Sequence, residues 1–131
     1  MATSCYNTHL HNTMERNIMS TATLTQKQVT EIVAEAQAAA RQAALDHIRQ
    51  HGEDWYCGFA WVNIYQVKGN TKLGKMLKAA GVKQDYTKAF QIWNPSGHGT
   101  QSMSVKEAGA SAAAQVFTRH GFVSYAGSRA D

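Results

Sequence analysis

Nine residues from Asn94 to Ser102 gather much of what could bind a ligand in this chain: Asn94, Ser96, His98, Thr100, Gln101 and Ser102, with Gly97 and Gly99 between them. A strand-like run precedes this segment, and a helix-like run follows it. A helix start presents unpaired N–H groups and the positive end of the helix dipole, so it attracts anions. Glycines let backbone come close to a ligand. His98, Gln101 and Lys106 add donors, and Phe90 and Trp93 add flat apolar surfaces. Phosphate at the helix start and a base on an aromatic ring is the ligand these residue types suit. Arg119 and Arg129 complete the candidate ligand-binding set of Phe90, Trp93, His98, Gln101, Lys106, Arg119 and Arg129. Arg119 stands ~20 Å along the helix from Lys106 at 1.5 Å per residue. Both reach one small ligand only if the site is shared between subunits. The segment is neither a G-x-x-x-x-G-K-[ST] loop nor a G-x-G-x-x-G turn, and a well-capped connecting loop is the competing reading.

Catalytic patterns are missing. The chain has no G-x-S-x-G, no H-E-x-x-H and no Cys-x-x-Cys. Cys57 falls in an apolar run and reads as inert packing. His98 alone is a thin basis for a general base. His47 and His51 are four apart on a helix, and His9 and His11 form an H-x-H pair, but neither pair has an evident third ligand. The expectation is a binding protein with no catalytic residue, no metal and no cofactor.

The elements that must position these groups follow from periodicity. Cys57 to Tyr65 reads as a strand. One face carries Gly58, Ala60, Val62 and Ile64, and the other Cys57, Phe59, Trp61, Asn63 and Tyr65. The small face suits helices. The aromatic face needs its own cover, whether the domain core, a helix, a partner subunit or a ligand. Asn63 there should be hydrogen-bonded. Before this strand, Thr25 and Gln28 form a capping box, with Leu24 and Val29 as its hydrophobic staple, and a helix runs from Gln26 to Gln50 or His51, stopped by Gly52. Its stripe is Val29, Ile32, Val33, Ala36, Ala40, Ala43, Ala44 and Ile48. A helix that long, with alanine where it would touch a neighbour, either overhangs the domain or packs on a copy of itself, which favours a homo-oligomer. A second helix starts at Asn70 or Thr71 and ends at Gly81, with Leu73, Met76, Leu77 and Ala80 inward. Tyr86 to Trp93 reads as a strand. A third helix starts at a Ser104–Glu107 capping box and ends at Gly121, and Phe122 to Ala126 reads as a last strand. The fold class is α+β: a small sheet packed with helices, with a long N-terminal helix, in an oligomer. Residues 1–22 read as a polar arm and 23–131 as one domain.

The totals agree. The chain has 131 residues, a net charge of +4 and a pI near 9.2. Two cysteines are too few for a disulfide framework and fit a reducing compartment. No apolar run reaches the ~18 residues of a membrane span, and neither a membrane nor a nucleic acid is the expected partner. Basic excess suits an anionic partner, yet dispersed lysines also make an ordinary wetted surface.

The run Cys57-Gly58-Phe59-Ala60-Trp61-Val62, then Ile92-Trp93, Gln101-Ser102, Lys106-Glu107-Ala108, Gly121-Phe122 and the closing Ser128-Arg129-Ala130-Asp131 resembles the first Thoeris anti-defence family of phage sponge proteins. The resemblance covers roughly residues 55–131, and Ala130 departs from the larger apolar residue of the pattern. It implies a non-catalytic protein in the cytoplasm of an infected bacterium. Such a protein captures a cyclic ADP-ribose isomer or a cyclic oligonucleotide and assembles as a dimer or larger oligomer. The alternative is a small structural or nucleic-acid-binding phage protein. The ligand-binding residues named above are chosen on their chemistry and do not come from the resemblance.

Overall fold

The computed structural model describes residues 21–131, so most of the polar arm, with Cys5, His9 and His11, lies outside the described residues. After a 3-10 turn over Thr21–Thr23 come α1 (Gln26–His51), β1 (Gly58–Tyr65), α2 (Lys72–Ala79), β2 (Lys83–Gln84), β3 (Phe90–Trp93), α3 (Met103–Arg119) and β4 (Val123–Ala130). The sheet order is β2-β3-β1-β4 and every neighbouring pair is antiparallel. Two β-α-β units therefore interleave, each strand pair flanking a strand of the other, which is the split βαβ arrangement. The α+β class holds.

α1 begins as its residues dictate. The Thr25 hydroxyl accepts from Gln28 N, the Gln28 side chain accepts from Thr25 N at 2.9 Å, and Leu24 and Val29 are both buried. Thr71 caps α2 by accepting from Gly74 N at 3.1 Å. α3 departs from expectation. It starts at Met103 with Ser102 as its cap residue, so Ser104 lies inside the first turn and makes no capping box. The Tyr86–Trp93 strand also shortens. Residues 85–89 form the β2–β3 turn, in which the Asp85 carboxylate accepts from Thr87 N at 2.8 Å and Ala89 N at 3.1 Å, and Lys88 has φ 72°. An aspartate that gathers the amides ahead of it makes a turn more stable than an extended run. β4 is longer than expected, because all eight of its residues pair with β1.

The core lies on one side of the sheet. Ala60, Val62, Ile64 and Phe90 from the strands meet Val29, Ile32, Val33, Ala36 and Ala40 of α1, Met76 and Leu77 of α2, and Ala110, Ala113, Val116 and Phe117 of α3. α3 lies between the sheet and α1, touching both. That double burial explains its run of small residues. A Cβ on Gly109 would stand 3.2 Å from the Ala40 carbonyl oxygen, so the two helix backbones touch there. The alanine stripe of α1 is thus spent within the chain: Ala36, Ala40 and Ala44 are fully buried against the chain's own core. It gives no argument for a second copy. Among the described residues no helix is long and apolar enough to cross a membrane.

Candidate functional site

None of the described helices packs on the other side of the sheet. Odd-numbered residues of β1 face it, and the register adds their opposites: Trp93 across from Trp61, Gln91 across from Asn63, and Arg129, Gly127 and Tyr125 across from Phe59, Trp61 and Asn63. The face is aromatic. Trp61 and Trp93 stack with centroids 4.9 Å apart and planes 32° apart, and Phe59 meets Trp93 at 6.0 Å and 66°. The Arg129 guanidinium lies 5.5 Å from the Phe59 ring centre. Trp61 lies flat on β4 because position 127 is glycine: a Cβ there would fall 2.5 Å from Trp61 Nε1. Trp93 is 50% exposed, which is a high cost in wetted aromatic surface for a side chain with only a packing role.

A hollow of about 640 Å³ opens on this face, floored by Trp61, Asn63, Gln91 and Trp93 and rimmed by Arg129, Lys83, Asp85 and Tyr86. Its size falls in the ~300–1,000 Å³ range of small-molecule sites. The indole N–H of Trp93 donates to Gln91 Oε1 at 2.9 Å, which fixes the ring's edge. Asn63 Oδ1 accepts nothing and is shielded by its neighbours, so the hydrogen bond expected for this residue is not made. Asp85, the acidic group at the rim, is occupied by its turn. The Thr87 hydroxyl, 2.6 Å away, is the chief cause of a carboxyl held below its ordinary value of 3.8.

The seven residues named from sequence separate. Trp93 and Arg129 come together on the open face. Phe90 is fully buried on the core side, so it offers no ring to a ligand: one residue along a strand is the opposite face. Lys106 is 8% exposed, and its Nζ donates to the Gly58 carbonyl at 2.9 Å while lying 5.3 Å from the Phe59 ring centre. β3 ends at Trp93, opposite Trp61, so Gly58 has no strand partner on that side, and Lys106 takes its place. Arg119 pairs with Glu35 at 3.2 Å at the far end of α3. His98 is half-buried with Nδ1 unpartnered, and Gln101 is exposed while its carbonyl accepts from Gly58 N. Neither lines the hollow. Cys57, expected inside the strand, is exposed just before it.

The Asn94–Ser102 loop binds itself. Asn94 Nδ2 donates to the His98 carbonyl at 3.0 Å, His98 N to Ser96 Oγ at 3.2 Å, Ser102 N to Thr100 Oγ1 at 3.0 Å, and Thr100 Oγ1 to Glu53. The start of α3 is also taken. Met103 N donates to the Tyr56 carbonyl at 2.9 Å, and Ser102 Oγ donates to the Asp54 carboxylate at 2.6 Å. The anion that this helix start attracts is Asp54. The Ser102 hydroxyl, then Ser104, holds its carboxyl below the ordinary 3.8. A carboxyl lowered by folding adds stability that is complete above its unfolded value and is lost as pH falls through the folded one. Asp54→Asn is therefore expected to destabilise the protein at neutral pH and to flatten the fall of melting temperature below pH 3.8. Thermal melts at stepped pH check this; an acid limb identical to that of the unchanged protein would deny Asp54 the role.

Sequence reading left Phe59, Trp61, Asn63, Gln91, Lys83 and Tyr86 out of the site. The usable signal was the two-residue alternation of β1, continued by Gln91 and Trp93. Among the described residues no group of three or more His, Cys, Asp or Glu could hold a metal ion, His47 and His51 included. No family model, curated protein or solved structure matches this chain.

Proposed function

We propose that this protein binds a nucleotide-type ligand on the open sheet face and holds it without chemical change. The ligand is a cyclic ADP-ribose isomer or a cyclic oligonucleotide, and the protein thereby sequesters an immune signal in an infected cell. The observation that carries the reading is the Trp61–Trp93 stack beside Arg129 on the floor of the 640 Å³ hollow. Flat rings hold a base, a guanidinium holds phosphate oxygens in a forked pair of hydrogen bonds, and the amides of Asn63 and Gln91 suit ribose or base edges. The resemblance to anti-defence sponges points to the same ligand class. Assembly as a homo-oligomer belongs to the proposal: a second copy over the face would enclose the ligand, and Arg119 can join the site only from such a copy.

The expected result is that Trp93→Ala and Arg129→Ala each weaken calorimetric binding of a cyclic ADP-ribose isomer at least tenfold, about 1.4 kcal/mol, and that mass spectrometry recovers the ligand unaltered. Unweakened binding by both variants would move the ligand off this face. Altered ligand would make the protein an enzyme.

The second reading, a nucleic-acid-binding protein, is favoured by one feature: the aromatic surface continues past the hollow to Tyr65 and Tyr125.

A further inference from the structure

The open face carries a second aromatic platform. Tyr65 and Tyr125 sit with ring centroids 6.0 Å apart and planes 49° apart, and they are 39% and 63% exposed. Tyr65 lies four residues along β1 from Trp61, which is ~13 Å at 3.3 Å per residue. The side-chain amides of Asn63 and Gln91 stand in register with each other and with Tyr125, in the row between Trp61 and Tyr65.

Beyond Tyr65, at that end of the sheet, is another hollow of about 680 Å³. Lys68, Lys78 and Lys88 line it together with Tyr65 and Gln84, and no acidic side chain does. Gln84 lines both hollows, and its side-chain amide donates to the Lys88 carbonyl at 2.9 Å. Among the described residues none of these three lysines has an ion-pair partner, and Lys78 Nζ donates only to the Gly69 carbonyl, at 3.2 Å. A strip of alternating rings and amides, with arginine at one end and unpaired lysines at the other, complements a chain of bases joined by phosphates.

We infer that this face is a two-base platform for a short, extended single strand of nucleic acid, one base on Trp61–Trp93, another on Tyr65–Tyr125, and phosphates running to Lys68, Lys78 and Lys88. The inference rests on the base-stacking part of the reading above, the Trp61–Trp93 stack, and sets a linear strand against the compact cyclic ligand as occupant of the same face. Stacked nucleotides of one strand rise about 3.4 Å each in a duplex. Bases held ~7–13 Å apart, the spacings of Tyr125 and Tyr65 from the Trp61 row, therefore belong to an unstacked, extended strand. A ligand with a single base covers one platform and leaves the other wet. Ring stacking does not discriminate among bases, so the platform has little sequence preference.

The test is quenching of tryptophan emission by thymidine mono-, di-, tetra- and hexanucleotides, with a cyclic dinucleotide as a comparison, at several salt concentrations. Affinity is expected to rise at least tenfold from mono- to tetranucleotide. In Tyr65→Ala/Tyr125→Ala the ratio of those two affinities should fall close to one. In Lys68→Gln/Lys88→Gln the slope of log affinity against log salt for the hexanucleotide should shrink by about 1.4, at ~0.7 per lost phosphate contact on a single strand. Mononucleotide binding with no gain from length would overturn the two-base platform and leave the nucleotide reading standing. Binding of none of these ligands, the cyclic dinucleotide included, would overturn both. Tighter binding of the cyclic dinucleotide than of the tetranucleotide would assign the face to a compact signal and overturn the inference. So would sedimentation showing a dimer that the tyrosine variant dissociates, because the second platform would then be a contact between copies.

Discussion

Replacing Ala36 and Ala40 together by glutamate is expected to unfold this protein. Both side chains are fully buried where α1 lies on α3, and Gly109 brings the α3 backbone against the Ala40 carbonyl. No cation stands ready there: Arg41, the next residue, is exposed, and Arg119 is engaged by Glu35. An uncompensated buried carboxylate costs several kcal/mol, and two of them approach the ~5–15 kcal/mol that holds a domain of this size together. The added volume pushes the helices apart as well. Circular dichroism should show lost helix, and sedimentation should show an expanded chain. A compact, fully helical monomer would instead mean that the stripe is a contact between copies, as the sequence alone suggested.

Lys106→Met is expected to lower stability by about 1–3 kcal/mol, the cost of leaving a buried acceptor unmet, here the Gly58 carbonyl. Methionine keeps most of the apolar stem, so the loss reports the hydrogen bond. Arg129→Ala should behave in the opposite way. Its side chain is exposed at the end of β4, where it lies over Phe59, so the melting temperature should stay within a degree or two while ligand affinity falls. Denaturant melts of both variants, compared with their binding, separate the two roles. Equal stability of Lys106→Met and the unchanged protein would put Lys106 back among the ligand groups.

Local chemistry was legible. The capping box at Thr25 and Gln28, the stop at Gly52, the Thr71 cap and the alternation through β1 are interactions among residues close in sequence, and each lies where its residue types require. The Lys83–Gln84 strand was not legible. Two residues carry no period, and only pairing with Phe90 and Gln91 makes them extended. The Asn94–Ser102 loop shows the same limit from the functional side. Its glycines and hydroxyls do suit an anion, but only the fold brings Glu53 and Asp54 from forty-seven and forty-eight positions away to occupy them.

The sequence by itself determined which residues share a face, because strand alternation and helix period are properties of the backbone. It separated Gly58, Ala60, Val62 and Ile64 from Phe59, Trp61, Asn63 and Tyr65 without any tertiary knowledge. The tertiary structure decided which face is covered. All three helices lie on the small side, since the core cluster draws on each of them and on that side alone, and the aromatic side is left open among the described residues. Apolar surface can be buried by any partner that fits, so composition ranks faces by their need for cover and does not say what covers them. The same physics assigned the alanine stripe to α3 in place of a second copy, and Trp93 and Arg129 to a shared surface with Trp61. Those contacts join residues thirty to seventy positions apart, and no local pattern records them.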